Sequence, residues 1–218
     1  MLKGAIFDAD GTLLDSMSIW EQLGARYLAA AGIAAKPELS AILAPMTLEE
    51  SSRYLKAAYQ LPDSVEQITA ALVGLLRSFY RDEVALTPGA AEYLHRLRAQ
   101  QIPMLVASSG DKALLRAAFA RLQIDGYFLD ILTCSELQTN KREPTIYRRA
   151  VQVLGTAPQE TAVFEDALYA IQSARCAGLL TVAVADASNR AEAVRLRQTA
   201  DYFIRDFTDP VLWKEGCI

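Results

Sequence analysis

Apolar residues follow two different rhythms along the chain. Between about Ser16 and Glu83 they recur at three- and four-residue spacing: Trp20, Leu23, Tyr27 and Leu28, then Leu48 to Tyr59, then Val65 to Tyr80. That period gathers side chains on one face of a helix, and Gly32 closes the first helix. Elsewhere short apolar runs alternate with helical patterns. Ala5 to Phe7, Met104 to Ala107, Ile131 to Cys134, Ala162 to Phe164, Leu180 to Val184 and Tyr202 to Ile204 read as strands. Helices are predicted from Pro88 to Gln100, from about Asp111 to Leu122, from near Pro144, and from Leu168 to Ala177, where Gly178 ends the last. Strands that alternate with helices predict an α/β fold with a doubly wound, mostly parallel sheet. The helical stretch has almost no β-branched runs, so it reads as an inserted α-helical cap domain at 16–82, within a core domain made of 1–15 and 83–218.

Polar residues cluster where the strands stop. The first strand ends at Asp8 and Asp10, and Gly11 and Thr12 let the backbone turn closely around a bound group. An Asp-Gly pair after an apolar run is also an ordinary turn signal. The second strand ends in Ser108, Ser109 and Gly110, the loop after the third carries Asn140 and Lys141, and the fourth ends in Glu165 and Asp166. Each cluster alone could be a helix cap or a solvated charge. Together they place acids, hydroxyls and one cation at one edge of the sheet, a composition that suits Mg2+ and phosphate. Magnesium takes hard oxygen ligands, commonly one or two carboxylates with phosphate oxygens and waters.

Composition narrows the chemistry. The 218 residues are 52% hydrophobic, with 26 acidic against 22 basic side chains and a net charge of −4. No Lys/Arg stripe interleaves with aromatics, so nucleic acid is not an expected partner. No apolar run approaches the roughly 18 residues of a membrane span, and the start turns acidic before a signal peptide could develop, so a cytoplasmic protein without a membrane partner is expected. Cys134, Cys176 and Cys217 are odd in number and widely spaced, which fits neither a disulfide framework nor a zinc site. The only histidine, His95, sits in a helical pattern. Serine–histidine, cysteine–histidine and zincin chemistry are thereby disfavoured, leaving carboxylates, Lys and hydroxyls.

DADGT at Asp8 to Thr12, VASS at Val106 to Ser109, Lys141, and FEDA at Phe164 to Ala167 resemble the four ordered motifs of the haloacid dehalogenase-like hydrolase superfamily, and within it the β-phosphoglucomutase-like phosphatases with a helical cap. The resemblance implies a Rossmann-like core and an aspartyl-phosphate mechanism. It makes Asp8 the nucleophile and Asp10 the general acid-base. It gives Ser108, with Gly11 and Ser109 beside it, to the phosphoryl group, and Lys141 to neutralising that group. Asp166, Glu165, Asp8 and the backbone carbonyl of Asp10 would hold Mg2+. Trp20, Met17, Met46 and Thr47 are candidates for the inward face of the cap, whose closure would exclude water during the first step.

Departures from the family pattern refine this. Trp20 stands where the phosphoglucomutases carry a cap histidine, and Leu48 where they carry a cap arginine, which argues for water as the final acceptor. Arg142 and Thr145 replace a Pro and an Asp after Lys141, and Arg142 could add positive charge near the substrate. The expectation is therefore a monomeric, Mg2+-dependent phosphatase acting on a small phosphorylated metabolite, a sugar phosphate in class. The alternatives are a phosphoglucomutase-type phosphomutase and, in another class, a receiver-like phospho-acceptor without turnover.

Overall fold

The computed structural model describes residues 2–214; Cys217 lies outside the described residues. Six strands form one sheet: β1 (Gly4–Phe7), β2 (Met104–Ser108), β3 (Phe128–Thr133), β4 (Thr161–Glu165), β5 (Leu180–Val184) and β6 (Tyr202–Ile204). Their order is β3-β2-β1-β4-β5-β6, and every neighbouring pair is parallel. The sequence pattern predicted a mostly parallel sheet, and the sheet is wholly parallel. β1 and β2 are buried throughout, as a sheet covered on both faces requires. The chain reverses direction across the sheet between β1 and β4, where ligands bind in doubly wound folds. This order also differs from the 2-1-3-4-5 order of receiver-type folds.

In-register pairing sorts the core into two layers. Phe7 lies beside Phe164 and Ile6 beside Val163, so alternate residues face opposite sides of the sheet. On one side Phe7 stacks on Phe164 with centroids 4.6 Å apart, and Phe207 joins them together with Tyr93 from α5 (Ala90–Ala99). On the other side Ile6, Leu105 and Val163 pack with Ile146, Tyr147 and Ala150 of α7 (Thr145–Leu154) and Ala170 and Ala174 of α8 (Leu168–Cys176). Helix α6 (Lys112–Arg121) starts at Asp111, whose carboxylate accepts from the N–H groups of Ala113 and Leu114. A 3-10 turn (Ala187–Glu192) and α9 (Ala193–Thr199) connect β5 to β6, in a stretch where the sequence pattern predicted no element.

Contacts divide the chain into two compact units, Met1–Asp15 with Ala85–Ile218, and Ser16–Val84. The second unit is all helical: α1 (Met17–Ala30), α2 (Leu39–Leu43), α3 (Leu48–Tyr59), α4 (Val65–Ser78) and a π-turn (Phe79–Glu83). α3 and α4 both begin with complete capping boxes, Thr47 with Glu50 and Ser64 with Gln67. Within this unit Arg26 donates to both carboxylate oxygens of Glu83 and lies over the Phe79 ring, which ties α1 to the π-turn. Among the described residues no helix is long and apolar enough to cross a membrane.

Candidate active site

Asp8 is the first residue beyond β1, and its N–H donates to the Phe164 carbonyl at 2.9 Å, extending the ladder by one residue. The backbone then folds back tightly. Gly11, at φ +76°, donates to the Leu14 carbonyl, and Leu14 donates to the Ala9 carbonyl. A positive φ there favours glycine. Ser108 ends β2, and its hydroxyl accepts from the Gly110 N–H at 2.9 Å. A side chain at Gly110 would be crowded: a Cβ would sit 3.0 Å from Asp10 Oδ2 and 3.2 Å from Ser108 Oγ. The Asp10 carboxylate and the Ser108 hydroxyl therefore border the same glycine, and this β1 loop meets the end of β2.

The loop after β3 brings Lys141 back across the sheet. Its ammonium, 4% exposed, donates to Asp8 Oδ1 and to Glu165 Oε1 at the end of β4. Glu165 is held on every side: Oε1 also accepts from the Tyr147 phenol at 3.1 Å, and Oε2 accepts from the N–H groups of Asp166 and Ala167. Oxygens of Asp8, Glu165 and Asp166, all buried, lie within 4.8 Å of one another. Asp10 contributes no side-chain oxygen to that group, so any share it has in a metal site rests on its backbone.

Three buried carboxylates face one ammonium. Burial, Glu165 and Asp10 push the Asp8 carboxyl up to about 8 against the pull of Lys141. Burial and the neighbouring Glu165 and Asp8 push Asp166 up to about 9. Burial disfavours the charged form of Lys141, but Asp8 and Glu165 outweigh it and hold the ammonium protonated. A cluster of hard oxygen donors with surplus negative charge fits a divalent cation of the Mg2+ type, which would relieve the repulsion that raises these carboxyls.

The other sequence candidates make contacts of their own. Ser109 is exposed, and its hydroxyl approaches Cys134 Sγ at 3.5 Å. Arg142 stacks its guanidinium over the Tyr169 ring, 4.6 Å from the centroid. In the helical unit Trp20, Met46 and Thr47 line a cavity of about 200 Å3 with Leu23, Leu43 and Leu72. Trp20 is 45% exposed, Met46 is half-buried, and the Thr47 hydroxyl is engaged in the α3 capping box. Met17 opens α1 and is half-buried.

Sequence reasoning missed two supports of the acids. Tyr147 gave no polar signal because it lies on the apolar stripe of α7. Asn189 donates to the Asp166 carbonyl at 2.8 Å from a stretch with no apolar rhythm.

A family model of haloacid dehalogenase-like hydrolases matches residues 2–178, which contain every strand-end cluster described above. The chain belongs to the haloacid dehalogenase-like hydrolases. Hexitol phosphatase A of Escherichia coli (strain K12) is 30% identical over 84% of this chain and 82% of its own length. Validoxylamine A 7'-phosphate phosphatase of Streptomyces hygroscopicus subsp. limoneus is 27% identical over 98% and 97%. In three dimensions a candidate β-phosphoglucomutase from Thermotoga maritima superposes with a TM-score of 0.84 at 22% identity, covering 93% of this chain and 94% of that one. That likeness establishes the shared fold, and the three proteins cover between 84% and 98% of this chain.

Proposed function

We propose that this hydrolase is a Mg2+-dependent phosphatase that cleaves a small phosphate monoester, a sugar phosphate, through an aspartyl-phosphate on Asp8. The observation that carries the reading is the meeting of Asp8, Lys141, Glu165 and Asp166 at adjacent strand ends, with Asp10 and Ser108 bordering the same glycine. Relatives named as phosphatases of a hexitol phosphate and of validoxylamine A 7'-phosphate support a sugar-like substrate.

In this reading an Asp8 carboxylate oxygen attacks phosphorus, and the bond to the ester oxygen breaks. Asp10 gives its proton to the departing alkoxide. It then takes a proton from the water that attacks phosphorus, which releases inorganic phosphate and regenerates Asp8. Such positioned proton transfer contributes about 10² to 10⁴ in rate. Lys141, already bonded to Asp8, offsets the repulsion between a carboxylate and a phosphate dianion, and the Ser108 hydroxyl donates to a phosphoryl oxygen. Asp8, Glu165, Asp166 and the Asp10 carbonyl are the proposed ligands of Mg2+, which when bound supplies charge neutralisation for phosphoryl transfer. The enzyme is taken to be cytoplasmic and monomeric.

Inorganic phosphate release from a panel of sugar and nucleotide monophosphates, with and without Mg2+, tests this. Mg2+-dependent release is expected, without conversion of β-glucose 1-phosphate to glucose 6-phosphate. Asp8→Asn should abolish turnover while phosphate-ester binding persists. Turnover retained in that variant would remove Asp8 as nucleophile, and isomerisation in place of release would mean a phosphomutase.

A further inference from the structure

A second cavity, of about 270 Å3, lies on the core unit beside α8. It is lined by Arg142, Pro144, Tyr169, Gln172, Ser173 and Cys176. The four residues from α8 fall at i, i+3, i+4 and i+7, so one helix face forms a wall and the loop after Lys141 forms the other.

The hydrogen-bonding of this wall is unfinished. Ser173 is 4% exposed, yet its hydroxyl has no hydrogen-bond partner. A serine within a helix commonly turns its hydroxyl back to the carbonyl four residues earlier, and this one does not. The Gln172 carboxamide and the Tyr169 phenol make no hydrogen bond among the described residues, and no carboxylate among them pairs with Arg142. The Arg142 guanidinium rests with its carbon over the Tyr169 ring. That contact orients the guanidinium and leaves its edge N–H groups as donors. One cation, a phenol and a carboxamide thus line a space that no acid lines, with the Ser173 hydroxyl buried in the same wall.

We propose that this cavity is a second ligand site, for a small anion carrying a phosphoryl or carboxylate group. The guanidinium fork matches either group in two-pronged fashion, and the Ser173 hydroxyl gains the partner it lacks. At about 30 Å3 per water, the volume admits an anion of several non-hydrogen atoms. Arg142 follows Lys141 directly and Tyr169 lies three residues beyond Asp166, so the occupant sits beside the acid cluster on separate residues.

Cys176, an exposed free thiol on the cavity wall, reports occupancy directly. The test is the rate of Cys176 alkylation by iodoacetamide, read by peptide mass spectrometry, on the full chain with Mg2+ present. Inorganic phosphate and acetate are titrated separately. The expected result is saturable slowing by phosphate, by acetate or by both, and which of them protects assigns the group. The slowing should survive in Asp8→Asn, which separates it from phosphate held at the acid cluster. In Arg142→Gln the apparent affinity should fall at least about tenfold, the loss expected for one charge-assisted hydrogen bond. Ser173→Ala should weaken binding without lowering the thermal midpoint, because it removes a hydroxyl that the folded protein leaves unpartnered. Alkylation indifferent to both anions, slowing that persists in both cavity variants, or slowing lost in Asp8→Asn alone would overturn the site.

Discussion

Asp166 shows what a buried carboxylate costs and what relieves it. Its acid group is desolvated, faces Glu165 and Asp8, and is pushed up to about 9. Asp166→Asn should therefore leave the metal-free protein no less stable, since it replaces a buried acid whose ionisation burial, Glu165 and Asp8 already oppose. Mg2+ should stabilise the native protein by about 2.7 kcal/mol at a hundredfold excess over its dissociation constant, and the asparagine variant should lose most of that gain. Thermal denaturation with and without Mg2+ checks both, independently of turnover. A midpoint rise of equal size in the variant would remove Asp166 from the ligand set. At this scale Asp8, Lys141 and Glu165 were legible in the sequence because each interrupts or follows an apolar strand. Tyr147 was hidden because a phenol on an apolar helix stripe looks like any other core residue. Ser108 and Ser109 looked equivalent in sequence, and the structure gives their hydroxyls different neighbours, the Gly110 N–H for Ser108 and Cys134 Sγ for Ser109.

Thr47 illustrates how an element can claim a residue that its neighbourhood suggests for a ligand. The sequence Thr47-Leu48-Glu49-Glu50 is a capping-box signature, and the structure uses it so: Thr47 and Glu50 satisfy each other's backbone N–H groups at the start of α3. Thr47→Ala should destabilise by about 1 kcal/mol, measurable as a shift of the urea midpoint at unchanged slope. Bonding to the Thr47 N–H and hydroxyl holds the Glu50 carboxyl below its ordinary range. A depressed native value means that this contribution is present in full above the ordinary range and fades as pH falls through it. Helices α3, α5, α6 and α8 were readable to within a residue or two, and β5 and β6 to the residue, because each is a distinct apolar run or stripe. Strand β3 begins three residues before the predicted Ile131, because Phe128, Leu129 and Asp130 are not fully buried. Short helical turns were not readable. The five residues of α2 and the π-turn after α4 span too little chain to show a period.

For the whole molecule, the stack of Phe7, Phe164, Phe207 and Tyr93 joins β1, β4 and α5 into one layer directly beneath the acids. Phe164→Ala should cost about 3–5 kcal/mol, a large part of the roughly 5–15 kcal/mol that holds a domain folded. Urea denaturation would show the loss, and a change under about 1 kcal/mol would mean that the layer closes over the gap. The doubly wound class was legible from the alternation of strands and helices. The strand order was not, because pairing joins residues far apart in the chain: Ala5 lies beside Met104 on one side and Ala162 on the other. That order has a consequence for synthesis. The strand that leads into Asp8 is translated before the helical unit, and both strands that flank it are translated after the whole of that unit. Until the residues of β2 emerge, β1 has no neighbour to pair with, and the Lys141 that meets Asp8 lies 133 residues further along the chain. The nascent enzyme must keep a short, fully apolar segment unpaired while an unrelated set of helices is made, so an interrupted translation product is inert and has an exposed sticky end.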